Sequence, residues 1–130
     1  MRARPLSPHL SIYRMTRYTL ISSFANRIAG GVLSVGLLGL IYWLTCLARG
    51  ARAYARAQEV LGSDIAKLLY AALIAAFAYH LVAGLRHLIW DSGRGMEKAQ
   101  SQRSAWLVIA AAVVLTAVTL WWVLRAREGL

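Results

Sequence analysis

The sequence predicts an all-α membrane protein with three transmembrane helices, and three observations carry that expectation. Hydrophobic residues make up 59% of the 130-residue chain and charged residues only 15%, too apolar a balance for a soluble domain of this size. Three blocks, about 22–48, 64–91 and 104–125, each contain a nearly charge-free run, and a bilayer core of roughly 30 Å takes about 20 helical residues to cross. The basic residues behind the net charge of +10 lie between these blocks and form no patch with interleaved aromatics. They read as arginines flanking membrane spans, so nucleic acid is not expected as a partner. The chain 1–130 is expected to form a single membrane domain.

Residues 1–21 are expected to form a polar, extended N-terminal arm. Pro5 and Pro8 oppose an early helix, and Ser7-Pro8-His9 reads as a turn. Arg2, Arg4, Arg14 and Arg17 leave no continuous apolar stretch, so no cleavable signal peptide is expected and the N-terminus is read as mature. Tyr13, Tyr18 and the arginines suit a headgroup or partner-protein surface.

The helical pattern of the first span begins near Ser22 and runs through the uncharged stretch Ile28 to Ala48. Gly30, Gly31, Ser34, Gly36 and Gly39 give it a close-packing face. At its start Ser23 and Arg27 stand at i and i+4 and project a hydroxyl and a fixed positive charge from one face. Two readings stay open. Arg27 snorkels to lipid phosphates, or the pair is a polar clamp for a quinone carbonyl, which develops negative charge as it gains an electron.

Arg49 to Gly62, with Arg49, Arg52 and Arg56 among alanines, is expected to be an interfacial helix or a loop. Ser63 is a cap for the second span, whose apolar run from Leu68 to Leu85 holds only His80 as an ionisable group. That helix should continue to about Asp91 and break at Ser92-Gly93-Arg94-Gly95. Glu97 to Arg103 is expected to be a polar connector. The third span, Ala105 to Leu124, ends in Trp121-Trp122 followed by Arg125 and Arg127, an interfacial anchor, and is assigned a scaffold role.

Cys46 is the only cysteine and there are three histidines, which excludes an internal disulfide and a cysteine-ligated zinc or iron–sulfur site. Lys and Arg number nine on the side of the N-terminal arm and second connector against six on the other, which favours the N-terminus inside. Ser23, Arg27, Arg86, His87 and Asp91 are then expected near the cytoplasmic face, with His80 deeper.

The chemistry-bearing stretch is Ala78 to Asp91. His80, Gly84, His87 and Asp91 fall at i, i+4, i+7 and i+11, one stripe of a helix, and Ala72 and Ala76 extend the ridge behind His80. His80 therefore sits in a lane of small residues where a flat ligand such as a porphyrin fits. The plainer reading is a histidine bonded to a neighbouring helix. Neutral imidazole is the usual protein ligand of haem iron, with its second nitrogen held by an acceptor. His87 lies roughly 10 Å further along the axis and is read as an interfacial group.

Three segments in this order resemble a known family. They are Arg4-Pro5-Leu6-Ser7-Pro8-His9-Leu10-Ser11-Ile12-Tyr13-Arg14, the Ser23-x-x-x-Arg27 pair followed by Gly30, and His80-x-x-x-Gly84-x-Arg86-His87-x-x-x-Asp91. Together they resemble the cytochrome b membrane anchors of succinate dehydrogenase, respiratory complex II, from Arg4 to Asp91, and the length and span number agree to the end. The resemblance implies one half of a two-subunit haem-binding bundle in a heterotetramer with a second anchor, an iron–sulfur subunit and a flavoprotein. FAD and the iron–sulfur clusters would belong to those partners, and this subunit would not itself dehydrogenate succinate. The same resemblance makes His80 the axial haem b ligand, the other ligand coming from the second anchor, and Ser23 and Arg27 the quinone-site residues. Where the family commonly has a histidine that helps hold a haem propionate, this chain has Asn26, so propionate contacts fall to Arg27, His87, Asn26 or the partner. The expected location is the bacterial inner membrane, multi-pass, with the N-terminus cytoplasmic. Two rivals are a cofactor-free structural anchor and a small transport subunit with a proton path, which calls for an acidic partner within a span; Asp64 and Asp91 stand only at span ends.

Overall fold

The computed structural model describes residues 17–128, which form four helices: α1 (Arg17–Ala48), α2 (Ala51–Leu61), α3 (Asp64–Asp91) and α4 (Lys98–Glu128). No strand occurs among the described residues. The stretches Leu20–Ala48, Asp64–Asp91 and Lys98–Ala126 are each long and apolar enough to cross a membrane. The all-α, three-span expectation therefore holds. The Arg4–Arg14 segment and the turn at Pro8 lie outside the described residues.

Two boundaries differ from the sequence reading. α1 is already helical at Arg17, the first described residue, and not only from near Ser22, because nothing between Arg17 and Ser22 breaks a helix. α4 begins at Lys98, so most of the expected polar connector is helical. Polarity marked that segment as a connector, but Lys98, Ala99, Gln100, Gln102 and Arg103 are all good helix formers. The actual break is shorter. Gly93 and Gly95 adopt left-handed φ of 79° and 76°, which glycine tolerates without a Cβ clash, and Trp90 Nε1–H donates to the Gly95 carbonyl at 3.1 Å across the turn.

The segment left open as helix or loop is helix α2. Its Ala57 is fully buried while Arg49, Arg52 and Arg56 are exposed. Tyr54 meets the Trp43 ring edge-on, and the Tyr70 hydroxyl donates to the Leu61 carbonyl at 3.1 Å, tying the end of α2 to α3. At the start of α3 the Ala66 N–H donates to Ser63 Oγ at 3.3 Å, a side-chain N-cap.

Packing is by small side chains. The buried apolar residues of the three long helices include Ala29, Ala78, Ala83, Ala105, Val108 and Ala112, whereas Leu38, Phe77, Leu107 and Trp122 point outward. In water such a surface would aggregate; in lipid, where tails are as apolar as leucine, helices approach through small residues and van der Waals contact. α3 is central, packing against α4 and α1. α1 and α3 run antiparallel, with Ser22 beside Tyr79 and Arg86, Asn26 beside His80, and Gly36 against Leu73.

A side chain at Gly36 would run into the Leu73 methyls, the free end of a flexible side chain. Because Leu73 can turn aside, Gly36→Val is expected to lower the stability of the detergent-solubilised protein by only about 1 kcal/mol, the low end of overpacking. Adding Leu73→Ala should recover part of the loss, which melting of the single and double variants measures.

Candidate functional site

His80 comes from the middle of α3, where the chain is otherwise apolar, and its half-buried ring lies against α1. The approach is close because α1 presents Gly30: a Cβ there would stand 3.2 Å from His80 Cε1. Nδ1 is 3.2 Å from the backbone carbonyl of Asn26, one turn earlier on α1. A carbonyl only accepts, so Nδ1 carries the proton and donates. In the neutral form of the ring the lone pair then lies on Nε2. That arrangement, one nitrogen tied to a carbonyl and the other left as a donor of electrons, is how proteins orient a metal-ligating histidine.

The predicted stripe is only partly one surface. His87 stacks edge-on against Trp90 of its own helix, ring centroids 5.3 Å apart, and Asp91 is exposed. Of the small lane, Ala76 and Gly84 are half-buried, and Ala72 opens into an apolar groove of about 1350 Å³ between α1, α2 and α3, lined in part by Gly31, Val35, Gly39 and Trp43. A Cβ on Gly84 would meet nothing within 4 Å. The groove thus reaches Ala72 but is not lined by Ala76, His80 or Gly84, and the helix face at Gly84 is uncovered.

Ser23 is half-buried and Arg27 exposed on the outer part of α1. Arg27 makes no hydrogen bond or ion pair among the described residues. Because Asn26 meets His80, Arg27 is level with His80 and not with His87 or Asp91, a deeper position than the topology reading gave it. Its guanidinium is on a long stem that reaches along the helix surface. Asn26 Oδ1 is buried and has no hydrogen-bond partner among the described residues, a position that costs about 1–3 kcal/mol unless a donor meets it.

One residue carries more of the site than its sequence context revealed. Arg86 is only 6% exposed. Its Nε–H donates to Ser104 Oγ at 2.9 Å, Nη1 to Ser22 Oγ at 3.1 Å, and Nη2 to the Ser101 carbonyl at 2.9 Å and Ser101 Oγ at 3.3 Å. Its carbon also lies 4.0 Å above the Trp90 ring, a cation–π contact. It binds α1, α3 and α4 together. The sequence clue was the Ser101 and Ser104 pair at i and i+3, which becomes legible only once 98–103 is known to be helical. Of the adjacent serines on α1, Ser22 meets Arg86 while Ser23 faces about 100° away.

Among the described residues no cluster of three or more His, Cys, Asp or Glu side chains could hold a bare metal ion. A metal bound through His80 would therefore draw its further ligands from outside the described residues. Cys46 is buried.

Comparison with known proteins gives a consistent result. Residues 1–119 match the family model described as succinate dehydrogenase/fumarate reductase transmembrane subunit. The chain is 39% identical over 117 residues to the succinate dehydrogenase cytochrome b556 subunit of Paracoccus denitrificans, covering 90% of this chain and 89% of that one. It is 35% identical over 118 residues to the cytochrome b556 subunit of Rickettsia conorii, covering 91% and 90%. With the cytochrome b560 subunit of Reclinomonas americana it shares 33% identity over 121 residues, covering 88% and 83%.

Proposed function

The chain belongs to the succinate dehydrogenase/fumarate reductase transmembrane-subunit family, and from that premise we propose that it is the haem b-binding membrane anchor of a succinate:quinone oxidoreductase and contributes to its quinone site. The observation that carries the reading is the His80 imidazole, held at Nδ1 by the Asn26 carbonyl with Nε2 left as the electron-pair donor. The donor set fits haem, because His80 would supply one imidazole ligand from this chain and a second anchor subunit would supply another. When bound, haem would supply a one-electron carrier. Around it, Arg27 and His87 offer donors to its carboxylates. Asn26 offers an amide in place of the family's usual histidine.

Ser23 donates its hydroxyl to one quinone carbonyl. Arg27, charged at every physiological pH, stabilises the negative charge that grows on the quinone oxygen during reduction, as a preorganised donor does at an oxyanion. The acidic residues of the described spans stand at the helix ends, Asp64 and Asp91, so a proton path through the bilayer has no carboxylate to run on. The outward apolar faces of the bundle take up lipid and the second anchor. The flavoprotein and iron–sulfur subunits, with their FAD and clusters, dock on the side where Ser23 and the N-terminal arm emerge, the cytoplasmic face of a bacterial inner membrane.

Replacing His80 with Leu should remove the low-spin haem spectrum from the purified complex. An unchanged spectrum refutes the ligand assignment. Gly30→Val, which pushes on the ring, should lower the haem-to-protein ratio, whereas Gly31→Val, where a Cβ meets nothing within 4 Å, should retain more haem. Arg27→Ala should slow quinone reduction by about 10²-fold, the scale of a lost oxyanion donor, while succinate oxidation with an artificial acceptor persists. Equal loss in both assays would point instead to failed assembly.

A further inference from the structure

The small-residue contact between α1 and α3 does not fix its own register. Ala29, Gly30 and Ala78 offer smooth, nearly featureless surfaces, and in lipid such surfaces hold only by van der Waals contact. Directional bonds must set which residue of α1 faces His80. Ser22 receives two of them. Arg86 Nη1 donates to its hydroxyl at 3.1 Å, and the Tyr79 hydroxyl donates to its carbonyl at 3.1 Å. One turn further along α1 the Asn26 carbonyl accepts from His80, the residue after Tyr79. The carbonyls of Ser22 and Asn26 thus take bonds from adjacent residues of α3. Moving α1 by a turn would lose both together.

Resting on the haem and quinone reading above, we propose that Arg86 and Tyr79 are positioning residues: by gripping Ser22 from two directions they hold the Asn26 carbonyl under His80 Nδ1 and, through the neighbouring backbone, hold Ser23 at the quinone site. Arg86 is suited to this because four of its bonds go to neutral acceptors on α1 and α4 and a fifth contact is the Trp90 face. A planar fork reaches several acceptors in fixed directions; a lysine ammonium is a single point charge and cannot span them. Burying the charge without a carboxylate is expensive, and the serine hydroxyls and the Ser101 carbonyl offset it in place of a counterion.

The test uses the assembled complex carrying Tyr79→Phe, Ser22→Ala or Arg86→Lys. Tyr79→Phe retains the ring and removes one hydrogen bond, so it decides the matter even if Arg86→Lys fails to assemble. The readouts are the ferric low-spin EPR signal of the haem, the quinone KM and kcat, and succinate oxidation with an artificial acceptor. Tyr79→Phe and Ser22→Ala are expected to shift the EPR g values and raise the quinone KM about three- to tenfold, the scale of one interhelical hydrogen bond in a membrane, with the artificial-acceptor rate unchanged. Arg86→Lys should not restore the native signal. Native g values and native quinone KM in assembled Tyr79→Phe and Ser22→Ala complexes, even with a lowered melting temperature, would overturn the proposal and leave the brace purely structural. If His80→Leu abolishes the haem signal while these variants leave it native, the positioning role fails and the haem assignment stands. If His80→Leu leaves the signal intact, the haem assignment itself fails.

Discussion

A hydrogen bond from His80 to the Asn26 backbone carbonyl, 3.2 Å long, determines what the middle span can do. It selects one tautomer, fixes the ring plane against α1, and leaves the electron pair of Nε2 outside that contact. Its existence depends on backbone approach. Gly30 admits the imidazole edge where even a methyl group would crowd it. A histidine on an isolated apolar helix would have no such constraint and would turn among rotamers.

The rest of the bundle follows from solving the same problem in lipid. With large side chains turned outward and alanines inward, there is little shape to specify how helices slide against one another. Polar groups supply the missing direction. Arg86 gathers Ser22, Ser101 and Ser104 from two neighbouring helices, and Trp90 both covers its guanidinium and closes the turn to Gly95. The end of α3 that lies beside Ser22 is therefore tied to both other spans, while towards its start α3 borders an open apolar groove beside Gly31, Gly39 and Ala72. A bundle open on one face suits the proposed pairing with a second anchor subunit.

Much of this was legible in the sequence, and the misses have physical causes. Run length and charge gave the three spans, Ser63 gave the cap of α3, and the isolation of His80 in an apolar run marked it. Polarity misled at 98–103, where helix-forming polar residues extend α4 beyond the apolar stretch. Arg86 was hidden because an arginine near a span end ordinarily snorkels to headgroups, and its partner Ser22 is 64 residues away in the chain. The choice between Ser22 and Ser23 could not be made without knowing the rotation of α1. Periodicity grouped His80 with Gly84, His87 and Asp91 on one ridge, yet a ridge has several neighbours. His80 meets α1, His87 meets Trp90, and Asp91 is exposed.

The most direct measurement is an experimental structure of the complete, purified complex with the haem region resolved. This account predicts haem iron facing His80 Nε2, with Nδ1 on the Asn26 carbonyl and a second imidazole from the other anchor on the opposite side of the iron. An imidazole whose Nε2 points into protein or lipid, with the iron held by other residues, would contradict it.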